Sequence, residues 1–177
     1  MVQTQHSMKN KHNRGFTLLL AALISSIVLS LGVAVFSIAQ KQLILTSQGR
    51  FSQVAFYAAD SAAECALYWD MRYQYFGITP AVATPRCDGQ QWTTTLTGNR
   101  ASGNYRLDFS YAPNGYCATV SVTKAQSGSG VITTIIHADG YSAKVSTSTP
   151  MATIVAACTA AIQNDPNILE RSVELRY

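Results

Sequence analysis

Side chains that could form a nucleophile–base–acid set are few and lie close together. His137 and Asp139 are two residues apart, and Ser127 and Ser129 sit just ahead of them in a Gly-flanked loop. These four could supply the hydroxyl, imidazole and carboxylate of an acyl-transfer site. Their setting argues against it. Neither serine lies in a Gly-x-Ser-x-Gly elbow, and the other histidines, His6 and His12, belong to a separate N-terminal segment. A histidine near a strand end is more often structural, so the chain reads as a non-enzyme. Ser127–Gly130 is too short and unpatterned to cradle phosphate. Asp60 and Glu64, four apart on one helix face, could hold a cation, but a solvated face or a contact to an arginine on a neighbouring molecule suits them better. No pattern asks for a cofactor.

The four cysteines, Cys65, Cys87, Cys117 and Cys158, are widely spaced. Metal sites want short Cys-x-x-Cys or His-x-x-x-His pairs, which are absent here. If this part of the chain lies outside the cytosol, disulfides are the natural reading, with buried free thiols as the alternative. Four cysteines allow three pairings, and the sequence leaves all three open. Each bond would stabilise the fold by about 2–4 kcal/mol. Tyr73, Tyr75 and Phe76 beside Arg72 could stack on single-stranded DNA. However, aromatic residues at a helix end more often pack the helix onto its sheet. The formal net charge is +4, and three of the cations, Lys9, Lys11 and Arg14, lie in the first 15 residues. The remainder carries ten basic and nine acidic residues, so no clustered basic footprint marks a nucleic-acid partner.

The elements that must position these residues follow from periodicity. Phe16–Ala39 holds 24 residues without a charge, enough to span a bilayer of ~30 Å. It is too long for a secretory signal core, which runs to about 7–15 residues. From Gln40 to about Arg72 there is no proline, and a narrow apolar stripe recurs every three or four residues: Phe51, Ala55, Ala58, Ala62, Cys65 and Trp69. Such small residues let a sheet pack closely. Gly77 and Pro80 end the helical region. Strands are expected at Gln91–Leu96, Tyr105–Tyr111, Tyr116–Lys124, Val131–His137 and Arg171–Tyr177. Asn114-Gly115 forms a hairpin turn, and Asp139-Gly140 a turn or bulge. Lys144–Asn164 is expected to be a loop with a short helix at Met151–Ile162. The predicted fold class is α+β: one long N-terminal helix packed on an antiparallel sheet of four to five strands.

Arg14-Gly15-Phe16-Thr17-Leu18, a short basic leader running into a continuous apolar helix, resembles the type IV pilin and pseudopilin family. Ala55–Leu67 (AFYAADSAAECAL) looks like the second signature of minor pilins of the PilX N-terminal type, and the closing Arg-Ser-Val-Glu-Leu-Arg-Tyr fits that group's last strand. The resemblance covers about 55 residues well and the β domain in outline. It implies a cytoplasmic leader over 1–15, a long helix over 16–72 with 16–39 as membrane anchor and filament core, and an extracytoplasmic β domain over 73–177. It implies cleavage by prepilin peptidase between Gly15 and Phe16 and methylation of Phe16. Its implied partners are the pilus assembly platform, the membrane and other pilins, met through the N-terminal helix. The positive-inside rule independently puts Met1 in the cytoplasm and the C-terminal part outside.

One position departs from the family. Most major pilins carry a glutamate at the fifth mature residue, where it neutralises the N-terminal amine of a neighbour. Here that residue is Leu20. A buried ammonium without a partner is costly, so the substitution points to a minor subunit that primes or caps a filament. The alternative is a single-pass, membrane-anchored binding module outside the cytoplasm.

Overall fold

The computed structural model describes residues 14–79, 83–146 and 151–177. Its first element is a helix, α1 (Arg14–Tyr73), of 60 residues. No proline interrupts it, and Gly32 and Gly49 are its only interior glycines past the first turn. It stops one residue after the expected end and by a different device. Gln74 takes a left-handed conformation with φ 48°, and its N–H bonds to the Asp70 carbonyl at 3.0 Å. The stop therefore comes three residues before Gly77; Pro80 lies outside the described residues. The chain divides into two compact units, Met1–Thr46 and Ser47–Tyr177, and α1 contributes to both.

Within Ser47–Tyr177 the chain forms an α+β domain. Two short strands, β1 (Arg86–Cys87) and β2 (Gln90–Gln91), make a small ladder. A five-stranded antiparallel meander follows in the order β3 (Thr95–Asn99), β4 (Asn104–Tyr111), β5 (Tyr116–Gln126), β6 (Ile132–Lys144) and β7 (Glu170–Arg176). A second helix, α2 (Met151–Asn164), lies between β6 and β7.

The strand expected at Gln91–Leu96 is split. Gln91 ends the small ladder, Trp92 turns inward and is fully buried, and pairing resumes only at Thr95. A large apolar side chain claimed by the core overrides the local strand pattern. Alternation elsewhere decides faces. Tyr105, Leu107, Phe109 and Tyr111 of β4 are buried, as are Ala118, Val120 and Val122 of β5. The two sets meet across the ladder, with Phe109 opposite Val120 and Leu107 opposite Val122. The β4–β5 turn places Asn114 at φ 51° and Gly115 at φ 80°, the two positive values that an Asn-Gly hairpin needs.

Asp139-Gly140 makes no turn: β6 continues through it, with Asp139 opposite Thr119 on one side and Ser172 on the other. The expected bulge is there, because the β5–β6 register shifts directly after Gly140, between the pairs Ala118–Gly140 and Tyr116–Lys144. The glycine serves packing. A Cβ at Gly140 would overlap the Ala55 carbonyl oxygen and the Ala59 nitrogen and lie 3.0 Å from the Ala58 carbonyl carbon. The helix backbone rests on the sheet backbone there, and only glycine leaves the room.

Candidate functional site

Residues 16–39 of α1 form an apolar, uncharged surface whose serine hydroxyls are satisfied within the helix. Residues 15–46 are exposed throughout; Phe16 is 70% exposed and Leu20 48%. The serine hydroxyls on this stretch turn back onto the helix. Ser25 donates to the Ala21 carbonyl at 2.7 Å, Ser26 to Leu23 at 2.8 Å, Ser30 to Ile27 at 2.8 Å and Ser37 to Ala34 at 2.9 Å. A helix that satisfies its backbone and hydroxyls internally can enter a medium with no hydrogen-bonding partners. By length and composition α1 can cross a membrane. Gly15 and Phe16 lie in its first turn, where Gly15 has open space around it. Lys9 and Lys11 fall outside the described residues, and Arg14 opens the helix.

Further along α1, small residues form a seat. Ala55, Ala58, Ala59, Ala62, Ala63 and Ala66 are almost fully buried, and Cys65 and Trp69 continue the same face. Phe51 does not belong to it: it is 47% exposed at the edge of a cleft of about 220 Å³ shared with Ala143, Lys144 and Ile168. The stripe begins at Ala55, where the helix meets Gly140. Below the seat the aromatic rings stack in series. Trp92 lies 3.9 Å from Phe109 and 5.9 Å from Phe76, centroid to centroid, with nearly parallel planes. Trp69 Nε1 donates to the Arg86 carbonyl at 3.1 Å. Of the aromatics considered for base stacking, Phe76 is fully buried, Tyr75 packs edge-on against Trp92, and Tyr73 stacks on Trp69 at 4.6 Å. The helix–sheet join uses all three.

The cysteines pair as Cys65–Cys87 and Cys117–Cys158. The first bond ties α1 to the β1–β2 ladder. The second ties α2 to β5 and anchors a small second core of Ala112, Cys117, Ala143, Ile154 and Cys158.

The structure does not assemble the candidate catalytic set. Ser127 and Ser129 bond to each other at 2.7 Å in the β5–β6 loop, while His137 stands opposite Ser121, well along the ladder. His137 Nε2 lies 3.0 Å from Asp139, whose same oxygen accepts from the Ser172 hydroxyl at 2.6 Å. Neither Ser127 nor Ser129 is therefore brought to the imidazole. Asp60 and Glu64 line a cleft of about 440 Å³ with Tyr57, Asn114 and Tyr116. Among the described residues, no three His, Cys, Asp or Glu side chains are placed to hold a metal ion.

Two features went unread in the sequence. One is the role of Gly140. The other is a buried polar cluster of Asp70, Lys124 and Thr134. Its signal was present: Lys124 continues the inward alternation Ala118, Val120, Val122. Buried tyrosines show the same interior. The Tyr111 hydroxyl donates to the Ser61 carbonyl at 3.0 Å, and burial pushes it up to about 12. Burial and its bond to Asp70 also raise Tyr177.

Compared with family models, curated proteins and solved structures, the chain matches none.

Proposed function

We propose that this chain is a minor subunit of a type IV pilus or of a type II secretion-like pseudopilus. In this reading it is made as a precursor, cut between Gly15 and Phe16, methylated on Phe16 and assembled through its N-terminal helix, where it primes or caps the filament. One observation carries the proposal. A single helix exposes an uncharged, largely apolar run over residues 16–39 and further along, from Ala55 to Asp70, serves as the seat of a disulfide-bonded sheet domain. An exposed apolar surface of that extent needs a non-aqueous partner. A bilayer meets the need before assembly, and a bundle of like helices meets it afterwards. The Gly15-Phe16-Thr17 junction at the mouth of the run supports processing there, and the cations on its N-terminal side support a cytoplasmic leader. Two disulfides fit an oxidising compartment beyond the membrane. Leu20, in place of an acid, supports a subunit outside the repeating core.

The work of such a subunit is mechanical: it packs helix on helix and displays a rigid domain. The test is the mass of the mature N-terminus in cells with and without prepilin peptidase. The expected product begins at methylated Phe16, and Gly15→Ala should leave the leader attached. An uncut Met1 terminus beside active peptidase overturns the proposal and leaves a membrane-anchored binding module.

A further inference from the structure

The proposed assembly makes no use of the polar cluster inside the domain. Asp70 in the last turn of α1, Lys124 on β5 and Thr134 on β6 are each more than nine-tenths buried. Lys124 Nζ donates to Asp70 Oδ2 and, at 2.8 Å, to Thr134 Oγ1. The Tyr177 hydroxyl donates to the same Asp70 Oδ2 at 2.5 Å. Tyr105 lies directly across the β4–β5 ladder from Lys124, and Lys124 Nζ lies 5.9 Å from the Tyr177 ring centroid, so aromatic rings flank the pair. A cavity of about 380 Å³ adjoins it, lined by Asp70, Lys124, Thr134 and Tyr177 among others.

We propose that Lys124 and Asp70 condense to an intramolecular amide, a covalent cross-link between α1 and β5. The reaction balances without an oxidant or co-reactant. The Lys124 ammonium and the Asp70 carboxylate become a neutral amide and one water. Nζ passes a proton to the carboxyl group, and the freed lone pair attacks Cγ. Oδ2, already the acceptor of both Nζ and the Tyr177 hydroxyl, collects the protons and leaves as water into the adjoining cavity. Oδ1 remains as the amide oxygen.

Three physical reasons favour the step. In water the separated ions are well solvated, which holds the condensation back. Here both ions are more than nine-tenths buried, and their desolvation is offset only by each other and by Thr134 and Tyr177; that offset can fall short of the cost, so forming a neutral amide removes it. The reacting groups are held in contact by secondary structure on both sides, which replaces a bimolecular encounter with a positioned one. The Tyr177 hydroxyl donates to Oδ2, the oxygen that leaves, and so assists its departure as a general acid would; burial and Asp70 keep that hydroxyl protonated.

The test is a tryptic map of the full chain after reduction and alkylation of both disulfides. Trypsin cuts after Lys124 only when its amine is free. The expected major species is a branched peptide joining Phe51–Arg72 to Leu107–Lys144, lighter by one water than the sum of the two. Linear Leu107–Lys124 as the major species overturns the cross-link. Tyr177→Phe should leave a substantial fraction of the chain unlinked. Full linkage in that variant overturns the role given to the tyrosine hydroxyl.

Discussion

Replacing Gly140 by alanine adds one methyl group at the closest approach of α1 and the sheet. That methyl meets the Ala55 oxygen, the Ala59 nitrogen and, at 3.0 Å, the Ala58 carbonyl carbon. All three are backbone atoms inside a helix, so no side-chain rotation can yield, and the helix must lift. The backbone at Gly140 is not left-handed, so alanine brings no conformational strain of its own and the effect is steric. Overpacking a well-fitted interior costs about 1–3 kcal/mol, and three rigid contacts put this case at the upper end, about 3 kcal/mol. For a domain of this size each kcal/mol moves Tm by about 2–8 °C, so a fall of about 10 °C is expected. Urea unfolding of the detergent-solubilised full chain reads it directly, because Trp69 and Trp92 are both buried and report the join. Gly128→Ala is the control: no atom lies near its added methyl and its φ is ordinary. It should be neutral or gain up to about 1 kcal/mol. Gly140→Ala within about 0.5 kcal/mol of wild type, the range of an inconsequential surface change, would refute the close-approach argument.

Other perturbations separate the remaining contributions. The Tyr111 hydroxyl is pushed up to about 12 by burial, so the folded state keeps its proton where the unfolded chain loses it. Its contribution is complete below pH 10 and disappears as pH rises to 12, about 3 kcal/mol in all. Tyr111→Phe should flatten that part of the pH dependence in urea titrations. Removing the Cys117–Cys158 bond, which closes a separation of 41 residues, should cost about 4 kcal/mol by loop closure. The Cys65–Cys87 bond, across 22 residues, should be worth about 3 kcal/mol. Unfolding midpoints that ignore reductant would contradict both figures. Trp69→Ala should cost about 3–5 kcal/mol as a core truncation, whereas Phe51→Ser, at an exposed position, should stay within about 0.5 kcal/mol; equal losses would restore Phe51 to the seat.

Where one local rule governs a segment, the sequence was readable. Absence of proline and an apolar run give α1; alternation gives β4, β5 and β7; Asn114-Gly115 gives its turn. Errors came where tertiary packing competed with a local rule. Asp139-Gly140 has the composition of a turn, but it makes only the bulge, because the glycine answers to a helix that crosses β6 some 80 residues away in sequence. Gln91–Leu96 has the threonines of a strand, but Trp92 is taken by the aromatic stack. Phe51 has the right spacing for the stripe but lies one turn before the close approach at Gly140, where it stays half exposed. The pairing of the cysteines needs three-dimensional proximity, which four spacings do not encode. Lys124 was legible by parity alone, and its partner was not, because Asp70 lies 54 residues away on another element.

The last strand has a consequence for the order of events in the cell. β7 completes the sheet by pairing with β6, and Tyr177 reaches a partner 107 residues earlier, at Asp70. Contacts between such distant residues close late. During synthesis the apolar segment of α1 emerges first and can reach its medium while the sheet still ends at β6. Until Glu170–Arg176 arrives, β6 presents an unpaired edge, the feature that invites mispairing with other chains. The interval between the first helix and the last strand is therefore the vulnerable period in this protein's biogenesis, when a holdase would do the most good.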